Sequence, residues 1–222
     1  LTPSPDGDEN LLAEGVSQER IHRVGNVMID SLFTNLQKSK SSKIHNELGI
    51  RSDYAVLTLH RPSNVDDKEI FSEIIGALEK IGKEIQLVFP IHPRAEKTAK
   101  SFGLYERLKA IPNIVLTGPV GYLDFVALMA NSKMALTDSG GLQEETTALG
   151  IPCITLRENT ERPITVTEGT NTIVGCDPEL ILKTAYEVLE GKGKAGRIPD
   201  LWDGKTSSRI ADVILQYIEN GD

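Results

Sequence analysis

The chain has 222 residues, and its 39% hydrophobic and 25% charged content is that of an ordinary folded protein, which excludes a disordered or membrane-embedded chain. A formal net charge of −8 argues against a nucleic-acid backbone as the main partner while leaving room for a local basic pocket. Cys153 and Cys176 stand in apolar or turn-like sequence and read as reduced thiols rather than a disulfide framework; with no bilayer-length apolar run and no signal-peptide pattern, the expectation is a cytoplasmic protein without a membrane partner.

The chain opens at Leu1, without a methionine, on the polar stretch Thr2-Pro3-Ser4-Pro5-Asp6-Gly7-Asp8-Glu9-Asn10, which reads as a loop inside a longer protein. Residues 21–26 predict a strand and turn, 27–36 a helix, and 37–43 a polar Lys/Ser linker. Residues 1–48 are therefore read as the tail of a missing N-terminal domain plus its connection.

From residue 54 onward, short β-rich apolar runs alternate with helical patterns, the signature of βαβ units building a parallel sheet. Strands are expected at 54–60, 85–90, 113–117, 134–138, 153–156 and 172–174. A helix is predicted over 66–81, where Ile70, Ile74, Ile75, Leu78 and Ile81 recur at helical spacing and Asp66 and Asp67 suit the first turn. Further helices fit 96–102, 123–130, 142–149, 179–189 and 207–218, and the Gly- and Lys-rich stretch 191–204 reads as a surface loop. The fold class is α/β, a doubly wound, Rossmann-like parallel sheet over 49–204, followed by a C-terminal helix in 205–222 that packs back toward the missing domain. In such a sheet ligands bind beyond the carboxyl ends of the strands.

Five features fall at those ends. In Leu136-Thr137-Asp138-Ser139-Gly140-Gly141, two glycines let a ligand approach the backbone where the next helix offers unpaired N–H groups to an anion; composition alone leaves a plain tight turn equally open. Glu145, one turn further on, suits ribose hydroxyls, or merely the helix dipole. His60-Arg61-Pro62-Ser63-Asn64 follows the first strand: Arg61 suits a phosphate and His60 a substrate oxygen or a proton, against the bland alternative of a strand-end histidine and a solvated arginine. His92-Pro93-Arg94 repeats the pattern after the second strand, and no third ligand at fixed spacing completes a metal site. After the fifth strand, Thr160-Glu161-Arg162-Pro163 offers Arg162 to an anion, or is a solvated loop. Tyr122-Leu123-Asp124-Phe125 opens a helix where an aromatic either flanks a base or belongs to the core. Neither a Ser-His-Asp nor a Cys-His arrangement emerges, and the loops carry no carboxylate pair suited to acid–base work.

These loops, in this order, resemble the non-hydrolysing UDP-N-acetylglucosamine 2-epimerases, which share the two-domain GT-B architecture; this chain would be its C-terminal half. The resemblance implies that Ser139, Gly140 and Gly141 hold the diphosphate, Glu145 the ribose, and Phe125 the surroundings of the uracil. Arg162 and His60 would face the nucleotide-sugar, with His60 the catalytic candidate; Arg61 and His92 would complete the substrate-binding set, and in some bacterial members the residues matching His60, Arg61 and His92 also help hold a second, regulatory substrate molecule. The implied chemistry is elimination of UDP across C1 and C2 and re-addition with C2 inverted, needing no cofactor and no metal, with the proton-removing carboxylates on the missing domain, so that this piece alone would be inactive. UDP, UDP-N-acetylhexosamine, the missing domain and a second copy in a full-length homodimer are the expected partners. Ser63 and Ile164 stand where family members commonly carry glutamate, and Val120 where a polar residue can lie near the base. A GT-B glycosyltransferase donor domain and a hydrolysing epimerase are the alternatives.

Overall fold

The computed structural model describes residues 1–220. Six parallel strands form one sheet in the order β3-β2-β1-β4-β5-β6. They are β1 (Tyr54–Thr58), β2 (Gln86–Pro90), β3 (Ile114–Thr117), β4 (Met134–Thr137), β5 (Cys153–Thr155) and β6 (Asn171–Ile173). All six expected strands are present, most of them shorter than the apolar runs that announced them. The first ends at Thr58, leaving Leu59 and His60 outside, because Pro62 opens a helical turn rather than merely stopping a strand. Chain order reverses between β1 and β4, so the crevice of this sheet lies where the loops after those two strands part.

Helices cover both faces. In chain order they are α1 (Pro5–Ala13), α2 (Val27–Ser39), α3 (Ile44–Glu47), α4 (Pro62–Val65), α5 (Lys68–Glu84), α6 (Pro93–Ser101), α7 (Tyr105–Lys109), α8 (Tyr122–Ala130), α9 (Gly140–Leu149), α10 (Pro163–Thr167), α11 (Pro178–Leu189) and α12 (Thr206–Asn220). On α5, Phe71, Ile74, Ile75, Leu78 and Ile81 form the buried stripe, packed on Ala55, Leu57, Leu87 and Phe89 and on Ile181 and Ala185 of α11. On the other face, Ile29 and Leu32 of α2 share a core with Val126 and Met129 of α8, Leu142 of α9 and Trp202. Alternate side chains of β1 serve the two sides: Ala55 and Leu57 one, Tyr54 and Val56 the other.

Four expectations need correction. The helix expected over 66–81 is present as α5 with both ends shifted, starting at Lys68 and running on to Glu84; its N-cap is Asp67, accepting from Ile70 N–H at 3.0 Å, and the separate turn α4 precedes it. The opening stretch expected as a loop holds α1, since Pro5 stands at a first-turn position, where a missing N–H costs nothing, and Asp6 and Asp8 suit the first turn. The strand expected over 21–26 is a single bridge, Thr2 to Arg23. The linker expected over 37–43 is partly helix, as α2 continues to Ser39.

The two ends of the described chain meet at one corner. Trp202 Nε1 donates to Pro3 O at 3.1 Å, and Asp30 of α2 accepts from the first-turn N–H groups of α12 at Thr206 (3.0 Å) and Ser207 (2.6 Å). Beside the sheet edge, the loop before that corner lies against β6: Lys194 Nζ donates to Asn171 O at 3.0 Å and to Val166 O.

Candidate functional site

At the carboxyl edge, four of the candidate residues turn out to be helix N-caps: Arg61 of α4, His92 of α6, Ser139 of α9 and Arg162 of α10. The sequence places a proline directly after three of them, so each loop passes straight into a helix whose first N–H groups lack intrahelical partners.

The fully buried Asp138, at the end of β4, ties the loop after β1 to the turn after β4. Its Oδ2 accepts from His60 N–H (2.9 Å), Arg61 N–H (2.8 Å) and Asn64 Nδ2 (3.3 Å), and its Oδ1 lies 2.7 Å from His60 Nδ1. Asn64 also donates to Leu156 O at 2.8 Å, adding the loop after β5. Ser63 donates to Asn64 Oδ1 at 3.0 Å and so supports this junction.

The α9 turn is open. Ser139 makes no side-chain cap, no acidic residue stands in the first turn, and Ser139 N–H is taken by Thr137 Oγ1 at 2.9 Å. Neither Gly140 nor Gly141 has positive φ. A methyl at Gly141 would meet nothing within 4 Å, and one at Gly140 only Glu161 Oε2 at 3.5 Å. A tight turn would require glycine for its backbone angles or for space, and neither demand is present. Gly25 shows the contrast: its φ is 96°, and a methyl there would lie 2.2 Å from Leu201 O.

Cations surround this turn. Arg61 Nε donates to Asp138 O at 3.3 Å, and its guanidinium is 3.6 Å from Glu161 Oε2. Arg157 grips the same carboxylate at both oxygens, 2.7 and 3.1 Å, and with Arg61 and Arg162 nearby holds Glu161 down at a pKa of about 2. Arg162 Nε pairs with buried Glu144 at 2.9 Å. Burial pushes the Glu144 carboxyl up against the pull of Arg162 and of Asn26, which donates to it at 2.9 Å. Glu145 is buried too, its pKa raised by desolvation, and accepts from Tyr122 O–H at 2.7 Å.

His60 and His92 stand side by side, ring centroids 5.6 Å apart. With Pro90, Pro119, Val120 and Phe125 they line a cavity of about 190 Å³. A larger hollow of about 500 Å³, lined by Arg51, Asp53, Gln86 and Lys133 among others, involves the amino ends of the strands and contains none of these residues. Ile164 is buried in the α2/α8/α9 core, which accounts for an apolar side chain there. The nine candidate residues all lie on the segments that follow β1 to β5: His60 and Arg61 after β1, His92 after β2, Phe125 on α8 after β3, Ser139, Gly140, Gly141 and Glu145 after β4, and Arg162 after β5. Sequence reasoning missed the supports, namely Asp138, Asn64, Glu144, Tyr122 and Asn26. Among the described residues no group of three or more potential ligands could hold a metal ion, and no helix is long and apolar enough to cross a membrane.

Comparison with known proteins gives a consistent picture. The family model for UDP-N-acetylglucosamine 2-epimerase matches residues 1–215. A UDP-N-acetylglucosamine 2-epimerase of Methanococcus maripaludis is 40% identical over 213 residues, covering 89% of this chain and 58% of that protein. The crystal structure of Methanocaldococcus jannaschii UDP-GlcNAc 2-epimerase in complex with UDP-GlcNAc and UDP superposes with a TM-score of 0.87 at 38% identity, covering 97% of this chain and 60% of that one. A UDP-2,3-diacetamido-2,3-dideoxy-D-glucuronate 2-epimerase of Pseudomonas aeruginosa is 35% identical over 213 residues, covering 94% of this chain and 57% of that protein. The chain therefore spans about three-fifths of the length of these relatives.

Proposed function

This chain belongs to the UDP-N-acetylglucosamine 2-epimerase family, and we propose that it is the nucleotide-binding part of an enzyme that interconverts UDP-N-acetylglucosamine and UDP-N-acetylmannosamine by eliminating UDP and adding it back. The observation that carries this reading is the pair Gly140 and Gly141, glycines that the fold itself does not need, at an uncapped helix N-terminus between Arg61 and Arg162. Absence of a side chain there serves something that comes close from outside.

In the proposed reaction a proton leaves C2 as the C1–O bond breaks, giving 2-acetamidoglucal and UDP; the C1–O bond to UDP then re-forms with its configuration kept while a proton is delivered to the opposite face of C2, which inverts C2 alone. The task of this chain is to stabilise charge gathering on the departing diphosphate. The first-turn N–H groups of α9 and the guanidinium groups of Arg61 and Arg162 suit that electrostatic role. Glu145 takes the ribose hydroxyls, with Tyr122 O–H already on one of its oxygens. Phe125 and Val120 flank the base, while His60, with His92 beside it, meets an oxygen of the nucleotide-sugar. Carboxylates that remove the C2 proton belong to the rest of the longer protein, so the 222-residue chain binds UDP without turning over. The relatives named for UDP-N-acetylglucosamine support that sugar over the diacetamido-glucuronate of the more distant one.

The same reading takes residues 1–48 as the lead-in from a preceding domain, anchored here through α2, and 49–204 as the UDP-binding unit. The exposed Ile214, Leu215, Tyr217 and Ile218 of α12 support docking of that helix toward the rest of the protein. A cytoplasmic homodimer rests on the family resemblance.

Calorimetry with UDP tests the site. Gly141→Ala is expected to fold with unchanged or higher stability, by up to about 1 kcal/mol, since alanine is the better helix former, and to lose UDP affinity. Unchanged affinity would return the two glycines to a structural role. Incubating the longer protein with UDP-N-acetylglucosamine alone tests the reaction: UDP-N-acetylmannosamine without stoichiometric free UDP supports epimerisation, whereas UDP and free sugar mean hydrolysis.

A further inference from the structure

The two cleft histidines both use Nδ1 inside the protein, in opposite senses. His92 Nδ1 accepts from Arg94 N–H at 3.1 Å, so it carries no proton, and a neutral His92 holds its proton on Nε2. His60 Nδ1 instead faces an acceptor, Asp138 Oδ1, at 2.7 Å. That oxygen is buried without a straight hydrogen bond from any described group, whereas its neighbour Oδ2 takes three. A buried carboxylate oxygen demands a donor, and the ring nitrogen of His60 lies within reach to supply one. Neither Nε2 has a hydrogen bond among the described residues.

We propose that Asp138 is the positioning residue of His60: it holds the ring proton on Nδ1 and leaves Nε2 as an acceptor, so the paired rings present one acceptor, from His60, and one donor, from His92. A neutral His60 then receives a proton or a hydrogen bond from its ligand and cannot give one. The pair as a whole suits a group that joins a hydroxyl or amide donor to a neighbouring acceptor oxygen. That this group belongs to a nucleotide-sugar rests on the function proposed above; the tautomer of His60 does not.

Long-range ¹⁵N–¹H NMR of histidine-labelled protein, at a pH where the rings are neutral, reads the tautomers directly. His45 is an internal reference, because its Nε2 must donate to Tyr54 Oη, which itself donates to Leu128 O. The expected pattern is Nε2–H for His45 and His92 and Nδ1–H for His60; Nε2–H for His60 in the unaltered protein overturns the proposal without any variant. Asp138→Asn keeps an acceptor for the backbone N–H groups of residues 60 and 61 but turns a donor toward the ring. It is expected to switch His60 alone to Nε2–H, a change that a residue serving only to clamp the loops would not produce. In the longer protein the same variant should lose about 10²- to 10⁴-fold in kcat, the span of a general acid–base contribution, with UDP affinity held within about threefold. A switched tautomer with full turnover upholds the role of Asp138 and removes His60 from the chemistry instead.

Discussion

Asn26 and Glu144, 118 positions apart, share a 2.9 Å hydrogen bond that fastens the start of α2 to the helix carrying the glycine turn. Asn26 also caps α2, its Oδ1 accepting from Met28 N–H at 2.9 Å. One amide thus holds a helix with its oxygen and a buried carboxylate with its nitrogen. Asn26→Asp preserves the cap and sets a second carboxylate against Glu144. It is expected to cost about 1–3 kcal/mol, the penalty of an unsatisfied buried group, measured by denaturant unfolding at neutral pH. The sign of the pH dependence follows: the Glu144 pKa is already raised in the folded state, so the added repulsion grows as pH rises and is relieved as pH falls. A pH-independent loss would show that charge is not its cause.

Glu161 has the opposite behaviour. Bidentate contact with Arg157 holds its folded-state pKa at about 2, below the ordinary 4.5. Its contribution to stability is therefore complete above about pH 4.5 and lost as pH falls toward 2. Arg157→Met should move the Glu161 titration back up toward 4.5, as followed by carboxyl ¹³C NMR, and flatten the stability curve in that window. A wild-type midpoint near 4.5 would show that the arginines do not hold the carboxylate in solution.

Tyr122 and Glu145 allow stability and binding to be separated. The Tyr122 hydroxyl lowers the Glu145 pKa against a larger rise from burial. Tyr122→Phe is expected to raise that pKa further and to cost about 1 kcal/mol, the net worth of one hydrogen bond. Glu145→Ala should weaken UDP by about 10- to 100-fold, as for loss of a hydrogen bond to a charged group, and calorimetry reads both variants. Undiminished UDP binding in Glu145→Ala would remove the ribose assignment.

Much of the sheet is legible in the sequence because apolar runs and amphipathic stripes are local signals: Ile74, Ile75, Leu78 and Ile81 repeat on the face that α5 buries. The short helices are not. Pro5, Pro62, Pro93 and Pro163 read naturally as breaks, whereas each stands in the first turn of a helix, where proline fits best. At the candidate site, side chains at strand ends are visible as candidates, but the groups that hold them are not, because Asp138, Asn64 and Asn26 act across 74 to 118 positions. One signal was there to be used: a carboxylate directly after the apolar run Met134–Thr137 is buried by its position and must collect donors.

Lys194 has a consequence for the protein at high concentration. A parallel sheet ends in strands whose outer N–H and C=O groups are templates for another chain. At β6 the carbonyl of Asn171 is already occupied by the Lys194 ammonium, a charged group that no incoming strand can replace with a matching ladder. Its pKa is lowered by burial, yet while protonated it closes that side of the sheet. A strand pairing at β6 would first have to displace that ammonium, so neutralising Lys194 is expected to make this edge easier to pair.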